Sequence, residues 1–152
     1  MSELPVIVSV VEGYGEVPSL PVLLRRVALE VHGTLCEVPT PHRLPSGNMR
    51  KPDELARAVR TQAQRVGDLG GVLIVMDGDV TDVPCAVDLA EELAPEPGLV
   101  SVRTEVVIPV FEFEAWFLAA ASSLATHSAV DEIAQDCADA EPAEVPKNDF
   151  QP

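Results

Sequence analysis

Residues 5–11 are apolar at nearly every position and stop at Glu12-Gly13-Tyr14-Gly15. An uninterrupted apolar run of that length predicts a strand covered on both faces, and the paired glycines permit a tight turn after it. From Val17 to Val31 the spacing becomes helical, with Val17, Leu20, Leu24, Val27, Ala28 and Val31 on one stripe. Pro18 suits a first helical turn, Pro21 is tolerated only near the N-terminus, and Gly33 is a helix stop. Thr34–Val38 reads as a short strand. The stretch from Pro39 to Asn48, with three prolines and a glycine, reads as a loop. Pro52 followed by Leu55, Val59, Ala63 and Val66 predicts a second amphipathic helix ending near Gly67, with Arg57 and Arg60 on one face of it. Gly70-Gly71 then leads into Val72–Met76, a second buried strand running directly into Asp77-Gly78-Asp79. A third helix over Val83–Leu93, a turn at Pro95–Gly98, a strand over Val102–Val110 and a fourth helix over Phe111–Leu124 complete the pattern.

Strands alternating with helices make βαβ units, so the expected fold is α/β: a mostly parallel central sheet of about four strands with helices on both faces. Residues 1–124 form this domain. The remainder, 125–152, is expected to be an acidic tail, partly ordered or truncated. In open α/β sheets ligands bind beyond the carboxyl ends of the strands, which says where to look for chemistry.

Composition narrows the classes. The 152 residues carry 10 Lys+Arg against 25 Asp+Glu, a net charge of −15, which excludes a basic nucleic-acid wrapper. The acids are unevenly spread. Residues 125–152 hold seven acids and one base, whereas 43–65 hold six bases (Arg43, Arg50, Lys51, Arg57, Arg60, Arg65) and two acids. Screening confines the overall repulsion to about 8 Å at physiological salt, so this basic segment can still touch phosphates. The bland reading of the same arginines is a solvated helix face. Three cysteines without CxxC spacing argue against a disulfide framework and a structural zinc site and suit a reducing cytoplasm. No apolar run approaches the roughly 20 residues of a membrane span, and no basic region precedes an apolar stretch at the N-terminus, so neither an anchor nor a secretory leader is expected.

The chemistry suggested is that of clustered carboxylates. Glu12 ends the first strand, and Asp77 and Asp79 follow the Met76 strand. If those strands are neighbours, three carboxylates converge; two like charges 4 Å apart repel by about 4 kcal/mol at an effective dielectric near 20, so a cation is wanted among them. Hard oxygen ligands without His or Cys favour Mg²⁺ or Mn²⁺ over zinc, and such an ion serves phosphoryl transfer or phosphodiester hydrolysis. Structurally, the Glu could merely accept hydrogen bonds from loop amides, and Asp-Gly-Asp could be a capped turn.

Val10-Val11-Glu12-Gly13 together with Val75-Met76-Asp77-Gly78-Asp79 resembles the Toprim signature of topoisomerases, primases and the overcoming-lysogenization-defect nucleases. Three ordered blocks look more closely like an uncharacterised bacterial Toprim-like family. They are residues 11–16 with 20–26, then Asp-Gly-Asp, then Glu112-Phe113-Glu114-Ala115-Trp116-Phe117-Leu118. The resemblance spans about residues 5–124. It implies a Toprim-like fold, with Glu12, Asp77 and Asp79 as catalytic metal ligands and Glu12 also able to act as general base. Glu16 and Glu114 are further candidates for a second metal or for positioning water, with Glu112 beside them. Arg50, Lys51, Arg57 and Arg60 would contact nucleic-acid phosphates. Relatives of this kind are often paired with an ATPase, which implies a cytoplasmic bacterial role in defence or mobile-element biology, and a homo-oligomer is compatible with the sequence. Phe113, Trp116 and Phe117, helically spaced, read as core. His32 and His42 read as surface residues.

The leading expectation is therefore a Mg²⁺-dependent Toprim-type nuclease, and the alternative is a non-catalytic Toprim-like scaffold that binds a protein partner. A Rossmann-like nucleotide site at Gly13-Tyr14-Gly15 ranks lower because Pro18 stands where GxGxxG needs its third glycine. A receiver-type phospho-acceptor lacks the lysine it needs after the last central strand, since Lys51 and Lys147 are the only lysines.

Overall fold

The computed structural model describes residues 4–78, 85–109 and 116. The chain divides into two compact units, Met1–Ala115 and Trp116–Pro152, and the fold below is that of the first. Its elements are β1 (Val6–Val11), α1 (Glu16–His32), β2 (His42–Arg43), α2 (Ser46–Met49), α3 (Pro52–Ala63), β3 (Gly70–Val75), α4 (Ala86–Leu93) and β4 (Arg103–Val107). All pairings are parallel and the strand order is β2-β1-β3-β4, the expected α/β sheet.

The order fixes the layers. Passing from β1 to β2 moves one way across the sheet; β2 to β3 and β3 to β4 move the other way. Right-handed crossovers then put α1 on one face and α2, α3 and α4 on the opposite face. Burial agrees with this. The main core joins Val8 and Val10 of β1, Val72 and Ile74 of β3 with Met76 just beyond it, and Leu55, Ala58, Val59, Leu89 and Leu93 from the helices. Every strand residue in that cluster is even-numbered, as a period of two demands. The odd face carries Ser9, Val11 and Val75, and Leu20 of α1 is buried without joining the cluster.

α3 has the expected start and charge pattern: Pro52 in the first turn, Asp53 and Glu54 beside it, Arg60 in the last turn. α1 is one residue longer at each end than its stripe suggests, and Pro21 sits inside it without ending it. Its buried side is Glu16, Leu20 and Pro21; Val27 and Val31, expected to face the sheet, are exposed. Length explains Val31 but not Val27. Seventeen helical residues span about 25 Å, whereas the six of β1 cover about 20 Å, so the last turn overhangs the strand. Gly33 closes α1 in the left-handed region at φ 62° and donates its N–H to Leu29 O at 3.0 Å. A Cβ there meets no atom, so Gly33→Ala should cost only the backbone strain, about 1 kcal/mol in urea denaturation.

Three expected elements need correction. The segment 34–38 makes only an isolated bridge, Glu37 with Val6, and not a strand. The strand beside β1 is instead His42–Arg43, inside the stretch expected to be a loop, followed by the short α2. Proline is excluded only from the ladder itself, and Pro41 and Pro45 lie just outside this two-residue strand on the sheet's edge. The third expected helix opens at Ala86, with Cys85 extended at φ −134°, ψ 128°; its expected start at Val83 lies outside the described residues. The expected helix Phe111–Leu124 and the acidic tail lie outside the described residues, Trp116 excepted. Among the described residues, no helix is long and apolar enough to cross a membrane.

Candidate functional site

The direction of chain progression reverses between β1 and β3, and at such a switch point the connecting loops part to leave a crevice at the strands' carboxyl ends. β1 and β3 pair along their whole length, from Val6 with Gly70 to Val11 with Val75. Glu12 is therefore level with Met76, and Asp77 stands one residue beyond. The Glu12 side chain spans that step: its Oε2 accepts the Asp77 backbone N–H at 3.2 Å. Asp77 is further fixed by its neighbours, Met76 N–H donating to Val107 O at 3.3 Å and Gly78 N–H to Pro109 O at 2.9 Å. Two carboxyl-bearing residues, far apart in sequence and both half-buried, thus share one edge of the sheet.

The turn after β1 is held from within. Glu16, only 4% exposed at the start of α1, turns back so that its Oε1 accepts the Gly13 N–H at 3.2 Å. Its charge also suits the helix N-terminus. A side chain at residue 13 would collide with this carboxylate, so Gly13 is needed for close approach to Glu16 and not for a positive φ. Glu16, a candidate from the sequence for a second metal or for positioning water, here serves the turn that carries Glu12.

Asp79, Glu112 and Glu114 lie outside the described residues. Among the described residues, no group of three or more His, Cys, Asp or Glu is placed to hold a metal. Glu12 and Asp77 remain a hard, all-oxygen pair, and Mg²⁺ ordinarily takes only one or two protein carboxylates. Glu12 Oε1 accepts no hydrogen bond among the described residues, so the pair fits such an ion.

The four basic candidates lie on the α2–α3 segment. Arg50 pairs with Glu92 of α4 at 3.1 Å, Lys51 Nζ donates to Asn48 Oδ1 at 2.9 Å, and Arg57 pairs with Glu54. Arg60 is exposed. A cleft of about 420 Å³ lies elsewhere, between α4 and β4, lined by Glu91, Glu96 and Glu105 among apolar walls, with Glu105 paired to Arg103 at 2.7 Å.

Sequence reasoning missed Arg43. It closes β2 as the register partner of Val11, and its guanidinium lies over the Tyr14 ring, 3.7 Å from the centroid. Arg43, Glu12 and Asp77 thus stand at the ends of three adjacent strands. No family model, curated protein or solved structure matches this chain.

Proposed function

We propose that the protein is a Mg²⁺- or Mn²⁺-dependent phosphodiester-cleaving enzyme, a nuclease of Toprim type, acting with a partner ATPase in bacterial defence or mobile-element biology. The observation that carries this reading is the latch between Glu12 and Asp77 at the topological switch point. The latch takes only one oxygen of Glu12 and only the backbone of Asp77, and a divalent cation would give the two neighbouring carboxylates a common partner. Glu12 and Asp77, with Asp79 two residues on, would hold it. A cation there would neutralise charge on the scissile phosphodiester and make water more acidic.

The chain's own residues do the rest. Glu12 divides its oxygens: Oε2 holds Asp77 in place, and Oε1 is left to take the cation or a proton from water. Glu16, through Gly13, keeps the Glu12 turn from swinging. Arg50, Lys51, Arg57 and Arg60 supply cationic contacts for the phosphate backbone. The exposed ion pairs that Arg50 and Arg57 now make are worth at most about 1 kcal/mol each and yield readily to a phosphate.

Cleavage of DNA and RNA substrates by the wild type and by Asp77→Asn, with Mg²⁺ and with Mn²⁺, tests the reading. The wild type should cut and the variant should not; equal cleavage by both overturns it. Mg²⁺ at ten times its Kd should stabilise the wild type by about 1.4 kcal/mol, seen as a rise of a few degrees in Tm that Asp77→Asn lacks. The alternative, a non-catalytic scaffold binding a protein partner, requires no response to the ion.

A further inference from the structure

Arg43 and Tyr14 make little sense as a stabilising pair. Tyr14 is 78% exposed in the Glu12–Gly15 turn. The Arg43 Nε is buried without a hydrogen-bond partner, and its guanidinium makes no ion pair among the described residues. Arg26, Arg50, Arg57 and Arg103 each pair with a glutamate. Arg25 and Arg65 bond uncharged oxygens instead, of Val38 and Gln62, whereas the partner of Arg43 is the face of an exposed ring at the carboxyl edge of the sheet. An exposed cation–π contact is at the weak end of its range, so the stacking adds little stability by itself, and the terminal guanidinium nitrogens, unlike Nε, are not among the buried atoms.

A ligand would complete it. A guanidinium is a good partner for phosphate oxygens, through planar, charge-assisted hydrogen bonds. Arg43 covers one face of the Tyr14 ring; the exposure of the ring leaves the other for an unstacked base. Bases within a duplex are already stacked and cannot reach it; those of a single strand can. We propose that Tyr14 and Arg43 form a clamp for one nucleotide of single-stranded nucleic acid. The base stacks on Tyr14, the adjoining phosphate lies on Arg43, and the backbone is led toward Glu12 on the neighbouring strand. The inference takes its substrate class from the proposed nuclease reading, but binding is measurable without cleavage.

The test is fluorescence anisotropy of the full chain in EDTA with end-labelled oligothymidylate, oligouridylate and an equal-length DNA duplex at fixed salt. The wild type should bind a single strand more tightly than the duplex. Tyr14→Ala and Arg43→Ala should each weaken single-strand binding about tenfold, and Tyr14→Phe, which keeps the ring, should not. Each variant should melt within a degree or two of the wild type. Equal or tighter duplex binding, no single-strand binding by the wild type, or an unchanged affinity for Tyr14→Ala overturns the clamp. The two proposals fail separately. Loss of cleavage in Asp77→Asn with wild-type binding by Tyr14→Ala leaves the nuclease without the clamp; Tyr14-dependent binding in a chain that never cleaves leaves the clamp without the nuclease.

Discussion

Glu12→Gln is expected to lower metal-dependent cleavage by about three orders of magnitude, on the order of 4 kcal/mol of transition-state stabilisation, while leaving the fold intact. The asymmetry comes from the two tasks of this side chain. Its Oε2 accepts the Asp77 N–H at 3.2 Å, and a carboxamide oxygen can accept the same bond. The latch between the ends of β1 and β3 therefore survives. What disappears is the negative charge and the basic lone pair, which are the properties a cation and a proton require. Glu12→Ala removes the latch as well and leaves the Asp77 N–H, in a half-buried setting, without that acceptor, so it should also cost about 1 kcal/mol of stability. Cleavage rates, urea denaturation and the Mg²⁺ dependence of Tm, measured on both variants, separate charge from architecture. If Glu12→Gln cuts at the wild-type rate, or if Mg²⁺ raises its Tm as it raises that of the wild type, Glu12 is not a ligand.

How much of this was readable in advance follows from how each element announces itself. β1 and β3 are mostly apolar six-residue runs, long enough to stand out, and a carboxylate within two residues of the end of each is conspicuous once parallel strands are expected. The Glu12–Asp77 edge was legible for that reason. β2 has two residues, too few for any period, and lies in a segment whose prolines signal a loop. Without β2 in its true place, nothing in the sequence sets Arg43 beside Val11. The signal that could have found it is Pro41-His42-Arg43-Leu44-Pro45 itself: prolines bracketing a short polar step suit an edge strand. The inner side of α1 is hard to read for a different reason. Its sequence is apolar around much of its circumference, with Val22, Leu29 and Val31 exposed, so spacing alone could not choose the stripe that meets the sheet.

The largest stability effect should come from Gly70→Ala, a loss of about 3 kcal/mol and a fall in Tm of roughly 10 °C or more. The sequence marks Gly70-Gly71 only as an entrance to a strand, but the sheet shows why both are glycine. β3 enters between β1 and β4, with Gly70 in register with Val6 and Gly71 with Arg103. Gly70 holds φ 133°, a region that side-chain-bearing residues seldom adopt, and a Cβ on it would fall inside the Val6 carbonyl. The obstacle is backbone, so it cannot turn aside as a flexible side chain would. Relief requires β1 and β3 to separate at the Val6 end, where Val6 N–H also donates to Leu69 O at 3.0 Å. Their register is what sets Glu12 level with Met76 at the other end of the same two strands. Loosened pairing at Gly70 should therefore reach the candidate site as well, as a weaker response of Tm to Mg²⁺ beyond the stability loss itself. Gly47→Ala is the matched control: its added Cβ meets nothing and its φ is not positive, so it should be nearly neutral. Chemical denaturation of both variants decides the matter. A Gly70→Ala chain as stable as the wild type would mean that β3 can enter the sheet by another path and that its register with β1 is not what fixes the Glu12–Asp77 edge.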